Sequence, residues 1–230
     1  MRLRAGTSGW SYPEWKGHFY PEKLATKDML RFYGEHFSTV EVNNTFHRMP
    51  RPDVLEGWSA AVPDDFVFVL KASQSITHFR RLKNAGDSVE YLLSHSEVLG
   101  PKLGPYLVQL PPHLRKDAGL LRDFLALFPA GKRCAVEFRH VSWFDDETFG
   151  ILREKNAALC VADTGEDTDA PLAATADWGY LRLRREHYDD AAMASWREKV
   201  GTQSWNEAFV FFKHEEAGAA AQMAARFMAD

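Results

Sequence analysis

The sequence predicts an α/β fold, a TIM-barrel-like (β/α)8 barrel that is slightly short and has a degenerate sixth helix. Three observations point there. Eight short apolar runs rich in Val, Leu and Phe recur along the chain, and helical patterns fill nearly every gap between them. Several runs are apolar throughout instead of alternating, as parallel strands covered by helices are. The length of 230 residues falls just under the roughly 250 typical of such barrels. No linker, low-complexity stretch or close repeat divides the chain, so residues 1–230 read as one domain.

The elements follow in order. A first strand at Leu3–Ser8 leads to a helix at Lys27–His36. A second at Thr39–Asn43 leads to Arg51–Ala61, whose Pro50 and Pro52 sit at its start, where proline is tolerated. Strands at Phe66–Lys71, Tyr106–Leu110 and Cys134–Phe138 precede helices at Asp87–Leu99, Asp117–Leu127 and Asp145–Lys155. Acidic residues at these helix heads are start signals through capping and the macrodipole. The sixth strand, Ala158–Ala162, is followed by "DTGEDTDAPLAATAD" (Asp163–Asp177), which has no helical pattern. Strands at Tyr180–Leu183 and Phe209–Phe212 pair with helices at Asp190–Val200 and Ala217–Met228. The alternative, an open doubly wound sheet, would carry a glycine fingerprint for phosphate after its first strand, and "GTSGWSYPEW" is not one.

Composition narrows the class. With 45% hydrophobic and 26% charged residues the chain is an ordinary globular protein with a sizeable core. A net charge of -4 excludes a broad electrostatic footprint for nucleic acid, while leaving room for a local basic pocket. Met1–Gly9 has no apolar leader-like core and no run reaches the ~18 apolar residues of a membrane span, so a cytoplasmic protein without membrane contact is expected. Cys134 and Cys160 lack C-x-x-C spacing and read as buried free thiols.

Function is sought at the strand ends, because a barrel of this kind places its active site at the C-terminal mouth. Side chains alternate faces along a strand. By that rule Glu41 and Asn43 share a face, as do Glu137 and Arg139, and Arg182 and Arg184. Lys71 is in phase with Val69, Gln109 with Leu107, Asp163 with Val161 and Lys213 with Phe211. The cations Lys71, Arg139, Arg182, Arg184 and Lys213 outnumber the anions Glu41, Glu137 and Asp163, which favours an anionic ligand such as a phosphate, carboxylate or nucleotide. Glu137, Glu41 and Asp163 are the catalytic candidates, as carboxylates held ionised beside arginines. The blander alternative is a structural ion-pair network that closes the barrel. In "GWSYPEWKGHFYP" (9–21) the aromatic side chains either stack a base or sugar or fold the loop onto itself. Trp10, with Trp143 in the fifth loop, is the candidate for facing ligand.

No metal ligand is assigned. His47, His78 and His140 each follow a strand, but no histidine pair has diagnostic spacing, and "HEEAG" at His214 is not H-E-x-x-H. P-loop and G-x-S-x-G motifs are absent too, so no motif requires a cofactor.

The motifs "GTSGWSYPEWKGHFYP", "VEVNNTFHRMP", "FVFVLKASQSITH", "LVQLPP" and "AVEFRHVSWF", in this order, resemble those of the YecE-like family, domain of unknown function 72. The resemblance implies a TIM-barrel-like fold and no established reaction. By motif position it implies Glu41, Asn43, Lys71, His78, Gln109, Glu137, Arg139 and Asp163 as shared mouth residues. The C-terminal part departs from the pattern: Lys213 and His214 stand where the family has asparagines, and "REHYDD" replaces a short turn.

The expectation is an enzyme, of hydrolase or lyase type, acting on an anionic small molecule or nucleotide. Lys71, Arg139, Arg182, Arg184, Asn43, Gln109, His78, Trp10 and Trp143 would bind it. The alternatives are a nucleic-acid module or nuclease and a metal-assisted hydrolase built on Glu41, Glu137, Asp163 and nearby histidines.

Overall fold

The computed structural model describes residues 1–165, 170–213 and 216–229. Its strands are β1 (Arg2–Thr7), β2 (Thr39–Val42), β3 (Val67–Lys71), β4 (Leu103–Gln109), β5 (Cys134–Glu137), β6 (Ala158–Asp163), β7 (Trp178–Leu183) and β8 (Glu207–Phe212). The helices are α1 (Met29–His36), α2 (Pro52–Ala61), α3 (Gly86–Ser96), α4 (Ala118–Leu125), α5 (Asp146–Glu154), α6 (Asp190–Gly201) and α7 (Ala219–Met228). All seven ladders are parallel, in the order β1-β8-β7-β6-β5-β4-β3-β2. The sheet therefore curls until β1 meets β2, giving the TIM-barrel-like fold the sequence predicts. No helix is found between β6 and β7 among the described residues, and Glu166–Asp169 of that stretch lie outside them.

The helix heads form as their acidic residues predict. Asp117, Asp145 and Asp189 each cap a helix by accepting from a backbone N–H in the first turn, of Leu120, Thr148 and Ala192 respectively. Helix α3 is shorter than its sequence pattern because Gly100, at φ 54°, and Pro101 turn the following residues into a kinked 3-10 segment. Four strands begin earlier than read: β1 at Arg2, β4 at Leu103, β7 at Trp178 and β8 at Glu207. Among the described residues, no helix is long and apolar enough to cross a membrane.

Strand alternation divides the core into two. Val67, Val69, Leu107, Ala135, Cys160, Trp178, Tyr180, Phe209 and Phe211 fill the barrel, while Val40, Val42, Leu70, Val136, Val161 and Leu181 face the helices. At the N-terminal end Glu207 receives Arg4 Nε at 2.7 Å and Arg133 Nη1 at 2.7 Å, and Arg133 lies over Trp178 and Phe209. Charged and aromatic side chains thus fill that end, and the layer of Glu41, Glu137 and Arg182 lies toward the other.

The join between β1 and β2 is unlike the rest. Its backbone pairing is a single bridge, Ser8 with Glu41. Side chains complete it: Arg4 Nη1 reaches the carbonyls of Ser38 and Asp65, and the Tyr33 hydroxyl of α1 accepts from Thr7 N–H and donates to the Thr39 carbonyl. The strands come this close because Gly6 has no side chain. A Cβ there would lie 2.3 Å from Thr39 O.

Candidate active site at the barrel mouth

Three strands deliver the centre of the site. Glu41 lies one residue before the end of β2, Glu137 ends β5 and Arg182 lies in β7, all pointing inward and all nearly inaccessible to solvent. Arg182 bridges the carboxylates: Nη2 donates to Glu41 Oε1 at 2.9 Å and Nη1 to Glu137 Oε2 at 2.6 Å. Glu41 also accepts from Ser8 Oγ at 2.7 Å, Asn43 Nδ2 at 3.1 Å and the Tyr180 hydroxyl at 2.6 Å. Glu137 accepts further from Gln109 Nε2 at 2.7 Å and Arg139 Nε at 3.1 Å. The Gln109 contact follows from register, since Gln109 and Glu137 are direct partners in the β4–β5 ladder. Gln109 Oε1 in turn accepts from Lys71 Nζ at 2.8 Å, and the Lys71 ammonium rests 4.3 Å from the centre of the Phe46 ring.

Charge balance sets the protonation states. Burial alone would push the Glu137 carboxyl up; Arg182, Arg139 and Arg184 outweigh it and bring the pKa down to about 2. Burial likewise opposes Glu41, and Arg182 with the Tyr180 and Ser8 hydrogen bonds still lowers it. Both are carboxylates at neutral pH. Lys71 moves the other way: burial first, then Arg182, brings it down to about 8 against the pull of Glu41 and Glu137. Burial, Arg182 and Arg139 lower Arg184 too, with Glu137 opposing. Its Nη1 stands 3.9 Å from Glu137 Oε1 and is buried, with no hydrogen-bond partner among the described residues, as is Arg182 Nε.

The loop after β3 forms one side of the mouth. It leaves Lys71 through a π-helical turn, Ser75–Phe79, and then holds Arg81, Leu82 and Asn84 at φ of 49°, 68° and 47°. Such non-glycine conformations cost of order 1–3 kcal/mol each and persist where packing enforces them; Leu82 is buried and its N–H donates to the Ile76 carbonyl. His78 in this turn is half-buried, hydrogen-bonds Thr77 Oγ1 at 2.8 Å, and faces Phe46 edge-on. Burial lowers its pKa, with Lys71, Arg139 and His113 adding to the effect.

Three predicted residues are placed elsewhere. Asp163 is in phase with Val161, as expected, but that face packs against the helices; Cys160 and Ala162 are the inward residues of β6. Its carboxylate accepts from Arg185 Nε at 2.6 Å, the Tyr188 hydroxyl at 3.0 Å and Trp196 Nε1 at 2.9 Å, tying β6 to the β7–α6 loop and α6. Trp143 is fully buried, stacks on Phe138 with 4.6 Å between ring centres, and donates to the Leu114 carbonyl. Trp10 packs edge-on against Trp58 at 4.9 Å in the helix-facing core, and its carbonyl accepts from Tyr20, so the aromatic loop folds onto itself. Apolar rings without a polar vacancy to fill are drawn under the loops, away from the charged layer. His140 Nδ1 accepts from Ser142 N–H, His47 is exposed, and His214 lies outside the described residues. Among the described residues, no three His, Cys, Asp or Glu side chains gather as a metal ion requires.

Sequence reasoning missed Ser8, Tyr180 and Phe46. Strand phase carried a signal for two of them: Tyr180 shares a face with Arg182 and Arg184, and Ser8 extends β1 two residues past Gly6. Phe46 had no sequence signal.

Residues 4–230 match the sequence profile of the family described as "Protein of unknown function DUF72". The chain belongs to the DUF72 family. The UPF0759 protein YecE of Escherichia coli K12 is 32% identical over 140 residues, covering 60% of this chain and 49% of that protein. The matched part thus spans about half the length of that relative. The UPF0759 protein YunF of Bacillus subtilis is 25% identical over 234 residues, covering 92% of this DUF72 chain and 78% of its relative. Among solved structures, a DUF72 family protein from Thermotoga maritima superposes with a TM-score of 0.87 at 27% identity, covering 99% of this chain and 98% of the other. One from Enterococcus faecalis gives 0.82 at 20% identity over 98% and 94%, which speaks for the fold alone.

Proposed function

We propose that this DUF72 chain is an enzyme that binds an anionic small molecule, phosphorylated or nucleotide-like, at the C-terminal mouth of its barrel. The observation that carries the reading is Arg184. A buried guanidinium N–H with no acceptor among the described residues is costly, and an oxyanion is the acceptor that suits it best. The surroundings agree: the cations Lys71, Arg139, Arg182 and Arg184 face the two carboxylates Glu41 and Glu137, which leaves the layer short of negative charge. In this reading Arg139, Arg184 and Lys71 hold the anion. Glu41 and Glu137 fix Arg182, and Asn43 and Gln109 fix the carboxylates. A carboxylate with a pKa of about 2 is a weak base at neutral pH, so the proton transfer of a hydrolase or lyase falls to another group in the layer.

Inorganic phosphate and adenosine monophosphate, titrated at low salt and followed by calorimetry and thermal unfolding, test it. Wild-type protein binds and is stabilised; Arg184→Gln melts alike without ligand and binds at least about tenfold more weakly, the loss of one charge-assisted hydrogen bond. Failure of every anion to bind would overturn the reading.

One observation favours a second reading, a nucleic-acid contact across the rim. Phe79 is 73% exposed beside Arg80 and Arg81, and Val141 is 64% exposed in the loop after β5. An exposed aromatic next to cations can stack on unpaired bases. Oligonucleotide binding that weakens steeply with salt would support this reading, and its absence at low salt removes it.

A further inference from the structure

The mouth contains one nucleophile, which the anion-binding reading uses only for its charge. We propose that Lys71 is a covalent catalytic lysine, whose Nζ condenses with the carbonyl carbon of an anionic aldehyde or ketone held by Arg184. The inference deepens the proposed function and rests on it for the location of the anion.

The geometry argues against a structural lysine. A buried ammonium kept for structure is normally paired with a carboxylate, as Lys102 shows at the other end of the barrel with two backbone carbonyls and Asp64. Lys71 has no carboxylate within ion-pairing distance among the described residues. Its donors meet one neutral acceptor, Gln109 Oε1, and the face of Phe46. Gln109 cannot turn away, because its Nε2 is engaged by Glu137. The Lys71 carbonyl accepts from Thr45 Oγ1, which fixes the strand end. The amine is half-buried and therefore within reach of a ligand in the mouth.

The charges facing Nζ come from every side of the layer: Arg182 and Arg184 on β7, Glu41 on β2, Glu137 on β5, Arg139 just beyond it and His78 in the adjoining turn. Their sum is positive, and with burial it brings the amine down to about 8, so a useful fraction is neutral at physiological pH. Desolvation beside other cations is a known means of activating an amine nucleophile.

The step balances without any further reactant. The Nζ lone pair forms the C–N bond as the carbonyl π pair moves to oxygen, giving a carbinolamine after proton transfer from nitrogen to oxygen. Protonation of that oxygen and loss of water break the C–O bond and leave an iminium on Lys71. Addition of water restores carbonyl and amine.

The test uses the wild-type chain, glyceraldehyde 3-phosphate as probe and cyanoborohydride to trap the imine, read by intact mass and peptide mapping. One adduct per chain, mapped to Lys71, is expected, with labelling at pH 7 roughly 100-fold faster than at surface lysines of ordinary pKa. The rate should rise with pH around a midpoint near 8. Lys71→Arg, which keeps the charge, should lose the adduct while surface lysines label as in wild type. Labelling spread over surface lysines without preference for Lys71 overturns the proposal, even if phosphate binds, and the anion reading then survives it. If unphosphorylated glyceraldehyde labels Lys71 as fast as the phosphate ester, Lys71 is still the nucleophile, but the anion reading falls and with it the part of the proposal that has Arg184 hold the substrate.

Discussion

Arg182 Nη2 lies 2.9 Å from Glu41 Oε1, a contact between β7 and β2 across the barrel, joining residues 141 positions apart in the chain. The same guanidinium holds Glu137 through its other terminal nitrogen. One side chain thus neutralises two buried carboxylates at once, and the mouth is organised around it.

Removing it strands both partners. Arg182→Met should destabilise the fold by about 3–5 kcal/mol, the cost of leaving a buried charge unpaired. Arg182→Lys should recover only part of this, because one ammonium does not present the forked donors that reach Glu41 and Glu137 together. Urea unfolding measures both; a midpoint unchanged from wild type in Arg182→Met would show the network to be energetically idle.

Acid should weaken the protein over a defined window. The folded-state pKa of Glu137 is about 2, and Glu41 is also lowered. A carboxyl depressed by folding stabilises above its unfolded value of roughly 4.3 and loses that contribution as pH falls toward the folded value. The urea midpoint should therefore hold near neutral pH and drop between about 4.5 and 2. Glu137→Gln, though less stable at pH 7, should show a flatter drop.

Arg139 and Tyr180 should separate binding from stability. The Arg139 side chain is 36% exposed, so Arg139→Ala should cost under about 1 kcal/mol of stability while weakening phosphate binding. Tyr180 is buried with its hydroxyl on Glu41, and Tyr180→Phe should cost about 1.5–3 kcal/mol, the value of a hydrogen bond to a charged group. Phosphate affinity, compared at a temperature where both variants are folded, should fall for the first only.

Gly6→Ala should loosen the barrel. The new methyl meets the Thr39 backbone carbonyl before it meets the Tyr33 hydroxyl, so β1 and β2 have to part. A loss of about 1–3 kcal/mol is expected from thermal or urea unfolding.

Much of this was legible in the sequence because strand phase is a local property. The inward-facing pairs Glu137 with Arg139 and Arg182 with Arg184 follow from a period of two, and so does the company of Glu41 and Asn43. Phase does not say which of its two faces lies inside, and Asp163 shows the consequence. On β6 the inner residues are the small Cys160 and Ala162, so the charged residue falls on the helix side. Trp10 and Trp143 failed for another reason. Whether an aromatic on a loop turns inward depends on tertiary partners, Trp58 and Phe138, that no local pattern announces. Asp190–Gly201, by contrast, formed where its acidic head foretold.

Seven of the strand junctions are held by ladders of peptide groups and the eighth by Arg4, Tyr33 and a single bridge at Glu41. Because Glu41 belongs both to that junction and to the charged layer, the weakest staves of the barrel share a fastening with its mouth. Backbone amides of β1 and β2 should be the first of the barrel to exchange with deuterated solvent, and filling the mouth should slow them before any other strand. Occupancy can then be read from the exchange of a seam, before the identity of the occupant is known.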